Sequence, residues 1–315
     1  MGCIRQGTAT KSNIAAFGFD KAVAFAGGPW QVGRMISIII AGLLLGMSLS
    51  PDAAPATLPK AEASAELKPD KSRQTRAAYF DRPMALAAAR KSGQAAPVIV
   101  LLTSDPWLMA IGSDSPSFAL YEDGTVIYAT KSGFKSAKLA GAELEAMRRA
   151  YADPELAALS GAYEADLATD QPDNDLLVYG AERPFFISVY GSFTRVGQRL
   201  PGAIWSAYAR LRAFDPPNAV DWLPEKIEVM IWPYEYAPEE SIKWPQEWPG
   251  LDDPATRKRR DAYSIFLPSS ELDKLNVFLA ARKQKGAVEI GGKKWAVSFR
   301  MPFAHENLWM GPRTE

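Results

Sequence analysis

Glu122-Asp123-Gly124 lies between two segments of strand-forming residues, Ser117–Tyr121 and Thr125–Thr130. Asp-Gly between alternating apolar residues is a strong short-range hairpin signal, because glycine supplies the positive φ that a primed turn requires. A hairpin at this point ties two strands together early in the folded part. The apolar runs Val98–Leu102 and Trp107–Ile111 come just before it, so the compact part is expected to begin at Val98.

Further along, Leu144, Met147 and Tyr151 fall at i, i+3 and i+7, which predicts a helix over Gly141–Tyr151. Asp153-Pro154 ends or interrupts it. Leu176–Tyr179 and Phe185–Tyr190 read as a second strand pair around Gly180–Pro184. Leu200–Phe214 reads as a helix with Pro201 in its first turn and an apolar face of Ile204, Trp205, Tyr208 and Leu211. In the second half Ile227, Val229 and Ile231 alternate as a strand, and Tyr263–Leu267 is another. Ser269 or Ser270 is expected to cap a helix with Leu272, Leu275, Phe278 and Leu279 on one face, with Lys283 and Lys285 in its last turn and Gly286 beyond. Ala287–Ile290 and Lys293–Phe303, joined by Gly291-Gly292, make a closing hairpin. It carries Trp295, Val297 and Phe299 on one face and Lys294, Ser298 and Arg300 on the other.

These elements give an α+β class: a mostly antiparallel sheet built from β-hairpins, with a few amphipathic helices packed on it. The halves 98–214 and 225–315 share the order strand–strand–helix–strand–strand. That order leaves two readings, a structural duplication or one continuous sheet with helices on one face. Without alternating βαβ units and glycine-rich turns, a doubly wound nucleotide binder is disfavoured.

The N-terminal part has a different character. Ile36–Leu49 is a 14-residue run without a charge, too short for the ~20 residues of a spanning helix but suited to the core of a secretory signal. Arg34 precedes it and Ala54-Pro55-Ala56 follows as a small-x-small cleavage pattern. Residues 1–56 are therefore expected to be an extension and signal peptide. Cleavage near Ala56 would deliver a periplasmic or secreted protein that meets the membrane only during export. The competing readings are an uncleaved anchor and a buried helix of a cytoplasmic protein. Residues 57–97, rich in Ala and charged side chains, read as a flexible tether with one short helix around Met84–Lys91, and 98–315 as the globular domain.

The residue inventory narrows the chemistry. The one cysteine is Cys3 and the one histidine is His305, which rules out disulfide frameworks, Cys/His zinc sites and Cys–His catalysis within the folded body. Basic and acidic residues number 36 each. Removing residues 1–56 leaves 32 basic and 34 acidic, so there is no overall positive field for nucleic acid. No cofactor and no metal are expected. Asp170, Asp173 and Asp175 lack the central glycine and final glutamate of a calcium loop. No Gly-x-Ser-x-Gly elbow accompanies His305, leaving Ser113 and Ser115, beside Asp114, as its only tempting partners. Ser132 and Lys135 match Ser-x-x-Lys without the companion motifs, a chance match. Arg257–Arg260, flanked by Asp252, Asp253 and Asp261, reads as a solvated loop.

The most unusual stretch is Trp232–Pro249, WPYEYAPEESIKWPQEWP, with five aromatic residues and four prolines. Flat rings give large contact area at low entropic cost, so Trp232, Tyr234, Tyr236, Trp244 and Trp248 could stack on sugars or grip a peptide. The plainer reading is a long connection whose rings fold back onto the sheet. The functional expectation is an exported, non-enzymatic binding protein whose partner, a protein, peptide or glycan, meets these five residues. The alternative is a hydrolase of a polymer such as a glycan, using carboxylates among Glu235, Glu239, Glu240 and Glu247.

Overall fold

Val98 to Leu102 run without a polar interruption, which suits a strand covered on both faces. The computed structural model describes residues 67–70, 83–110, 113–193 and 199–310. In it this run forms β1 (Pro97–Ser104), inside an eight-stranded sheet. The other members are β2 (Phe118–Tyr121), β3 (Thr125–Thr130), β4 (Gly133–Lys138), β5 (Gly161–Glu164), β6 (Asp173–Val178), β7 (Phe185–Tyr190) and β8 (Val220–Trp222), in the order β5-β7-β6-β1-β2-β3-β4-β8. Every pair is antiparallel except β5–β7. The hairpin forms as expected, with Phe118 opposite Tyr128 and Leu120 opposite Val126. Gly124 has φ of +83°, and a Cβ there would stand 2.2 Å from the Leu139 carbonyl oxygen, so the turn demands glycine twice over.

A second sheet holds β9 (Lys226–Pro233), β10 (Glu239–Lys243), β11 (Arg257–Arg259), β12 (Ala262–Pro268), β13 (Gly286–Ile290) and β14 (Lys293–Arg300), in the order β10-β13-β14-β9-β12-β11. Here β10–β13 is the parallel pair. The chain is thus α+β, with 14 strands among the described residues in two mostly antiparallel sheets. The sequence reading of one continuous sheet gives way to two sheets of different strand order.

The described helices are α1 (Pro83–Lys91), α2 (Gly141–Tyr151), α3 (Pro154–Ala158), α4 (Gly202–Arg212) and α5 (Leu272–Ala280). Alternation along β1 decides which core each residue enters. Ile99 and Leu101 join Phe118, Leu120, Tyr151, Ile204 and Tyr208 in a core with α2, α3 and α4. Val100 and Leu102 join a second core. It also contains Ile227, Val229 and Ile231 of the second sheet, Leu275 of α5, and Leu308 and Trp309 near the C-terminus. That core also takes Leu86 and Ala89 of α1. The 57–97 stretch therefore does not act as a free tether throughout. Asp70 N–H also donates to the Ala162 carbonyl in β5. The expected helix around Met84–Lys91 is there, and its burial supplies the free energy that a short isolated helix lacks.

Several local expectations change: α5 ends at Ala280, so Lys283 and Lys285 lie past its last turn and Gly286 opens β13, and Trp205 is 42% exposed rather than buried on α4. Arg257–Arg259 is an edge strand rather than a loop, paired to β12 with Arg257 opposite Ser264. Neither serine caps α5 through its side chain; a 3-10 turn over Ser269–Glu271 leads into it, and Ser269 Oγ donates to the Pro224 carbonyl. The signal, its cleavage point and the rest of residues 1–56 lie outside the described residues. Among the described residues no helix is long and apolar enough to cross a membrane.

Candidate functional site

The five aromatic residues of the Trp/Pro segment do not converge. Trp232 lies near the end of β9, on the face shared with Glu228 and Met230, and is 37% exposed. Tyr234 and Tyr236 lie in the turn that follows, where Tyr234 N–H donates to the Lys294 carbonyl and Tyr236 is 92% exposed. Trp244 and Trp248 are only 8% and 7% exposed, so their expected role as an open contact surface is corrected to that of core. The cause is the apolar face of α5, which needs a cover. Both indoles meet Phe278 edge-on, at 5.7 and 5.5 Å, and each other at 5.0 Å. Trp244 Nε1–H donates to the Pro249 carbonyl and Trp248 Nε1–H to Glu271. That bond and the Lys274 ammonium hold the Glu271 carboxyl below its usual range.

Beside these rings lies an open cleft of about 690 Å³. Glu247 and Trp248 of the segment and Asp252 and Asp253 just after it line the cleft together with Tyr263 of β12 and Lys293 and Trp295 of β14. Tyr263 and Trp295 meet edge-to-face at 5.4 Å, and Trp295 Nε1–H is spent on the Ile290 carbonyl. The Gly250–Thr256 turn is pinned, with Asp253 Oδ1 accepting from Ala255 N–H and Thr256 Oγ1 donating to the Gly250 carbonyl. The cleft presents ring edges and charged groups, and its indole N–H donors are already committed.

Tyr263, Trp295, Asp252, Asp253 and Lys293 were not singled out as site residues by sequence. Tyr263 and Trp295 each read as ordinary strand positions. They come together because β9 lies between β12 and β14, with Tyr263 opposite Ile231 and Trp295 opposite Pro233.

Other candidate groups are absorbed by the fold. Ser113 Oγ donates to Ser298 Oγ and Ser115 Oγ to the Met301 carbonyl, so neither hydroxyl is bonded to His305, whose buried Nε2 has no hydrogen-bond partner among the described residues, although the loop reaches the segment that leads to it. Glu239 accepts from Lys285 N–H, and Glu240 pairs with Lys283 at 3.2 Å. A narrower cleft of about 350 Å³ lies between α4 and the first sheet, floored by Asn174 and Tyr208. Its floor is occupied with itself: the Asn174 amide donates to Val189 and Gly191, and the Tyr208 hydroxyl faces the Asn174 and Ile187 carbonyls. No group of His, Cys, Asp and Glu suited to a metal occurs among the described residues. No family model, curated protein or solved structure matches the chain.

Proposed function

We propose that this is an exported, non-enzymatic binding protein whose ligand occupies the cleft lined by Glu247, Asp252, Tyr263, Lys293 and Trp295. The observation that carries the reading is the rim of that cleft: Glu247, Asp252 and Lys293 make no ion pair among the described residues, and the turn that carries Asp252 is held by its own hydrogen bonds. Charged groups without ion-pair partners at the mouth of a cleft are available to orient a ligand. Binding is favoured over hydrolysis because, of the four glutamates considered for that chemistry, Glu247 alone lines this cleft, while Glu239 and Glu240 bond to Lys285 and Lys283 away from it. Export rests on the 14-residue apolar run and the small-x-small pattern after it.

Two measurements test this. Intact mass of the protein from exported and cytoplasmic fractions should give a soluble exported species beginning near Thr57; a full-length cytoplasmic species would end the export half. A thermal-shift screen of peptides and glycans should find ligands that raise Tm, with the shift abolished in Asp252→Lys/Lys293→Glu. Turnover of a polymer lost in Glu247→Gln would replace binding with hydrolysis.

A further inference from the structure

The cleft does not stand alone. On the other side of Trp248 lies a second depression, of about 370 Å³, lined by Pro245, Glu247, Trp248, Val277 and Phe278, with Asp273 and Lys274 at its edge. Glu247 and Trp248 belong to both depressions. Val277 is 73% exposed on α5, an apolar side chain standing open beside an otherwise buried ring cluster. The two depressions adjoin at Glu247 and Trp248 and together make up the groove meant below, one side largely apolar at Pro245, Val277 and Phe278, the other charged at Asp252 and Lys293.

The charges around the groove are unequal. Glu247, Asp252 and Asp273 make no ion pair among the described residues, and Asp253 Oδ1 accepts the Ala255 N–H of its own turn. Of the lining cations, Lys274 is held by Glu271 at 3.0 Å; Lys258, not itself in the lining, adds one positive charge over the Tyr263 ring at 5.7 Å. Among the described residues, Lys293 is the one lining cation left over. Several uncompensated carboxylates beside an apolar hollow favour an incoming cation carried next to an apolar group. A sugar fits less well. Trp248 and Trp295 are 7% and 6% exposed, too little for the open ring face that stacking needs.

We infer that this groove takes a peptide segment in which an aliphatic or aromatic side chain, seated against Pro245, Val277 and Phe278, lies beside a Lys or Arg directed at Glu247 and Asp252. The inference rests on the binding function proposed for the cleft and names its ligand class.

The test is selection of a displayed random dodecapeptide library on the full chain, with a glycan array run in parallel. Enriched peptides should pair a basic with a large apolar residue. They should bind at least about tenfold more weakly to Glu247→Lys and to Val277→Asp, and weaken as salt rises because the carboxylates are exposed. Both positions are exposed, and a Val277→Ala variant with unchanged Tm separates a lost contact from a lost fold. Enriched peptides without a basic residue, or with affinity indifferent to Glu247→Lys, overturn the inference while leaving the cleft as the binding site. Glycan binding abolished by Asp252→Lys does the same. Failure of both the library and the array would overturn the binding function itself.

Discussion

Arg300 is 2% exposed and lies between two carboxylates. Its guanidinium donates to Glu228, itself 1% exposed, and through both terminal nitrogens to Glu306 at 2.6 Å. Ser264 Oγ also donates to Glu228, at 2.6 Å. The cluster pins the segment after β14 onto the second sheet. Removing the cation would leave Glu228 in the interior with Ser264 and the longer 3.8 Å pair to Arg259, so Arg300→Met should cost about 3 kcal/mol in urea unfolding; a change within error would show that the cluster is not buried as described. At Glu271 the direction of the pH effect follows from its partners. Its folded pKa is depressed, first by the Trp248 indole N–H and then by Lys274. The contact therefore stabilises above the ordinary Glu value near 4.3 and is lost as pH falls through the lower folded value. Tryptophan emission should shift in that acid range in the native chain, and the shift should be absent in Glu271→Gln.

At the scale of elements, the Trp/Pro segment is a cover for α5 as much as a surface. Trp244→Ala and Trp248→Ala should each lower stability by about 3–5 kcal/mol, as large core truncations do. An unchanged unfolding midpoint would return those indoles to the surface role. Gly124→Ala tests the hairpin: with φ of +83° and the Leu139 carbonyl in the way, it should cost at least about 2 kcal/mol, measured by thermal unfolding. Elements with strong local signals were legible. The Asp-Gly hairpin, the helix over Gly141–Tyr151 and the Gly291-Gly292 turn, at φ of +59° and +74°, all rest on nearest-neighbour chemistry. The short strands β4, β5, β8, β10 and β11 were not. At three to six residues each is too brief to show a period, and its pairing comes from a strand elsewhere in the sheet.

For the molecule as a whole, the second core joins residues of both sheets, α1, α5 and the segment ending at Trp309. Neither sheet can keep that core without the other, so urea unfolding should be a single transition, coincident by far-UV circular dichroism and tryptophan emission. Two separated transitions would mean that the sheets fold independently. The sequence alone determined the class of fold and much of its local structure, because glycine turns, alternation and helical spacing act over a few residues. It also bounded the chemistry, since one Cys and one His cannot build the sites that need several. Only the tertiary structure decided which aromatic residues are buried and which stand in solvent. Trp248 and Tyr236 stand in one aromatic segment, yet one is 7% and the other 92% exposed. Burial depends on what packs across from a side chain, and here that is α5, a helix well beyond the segment in the chain.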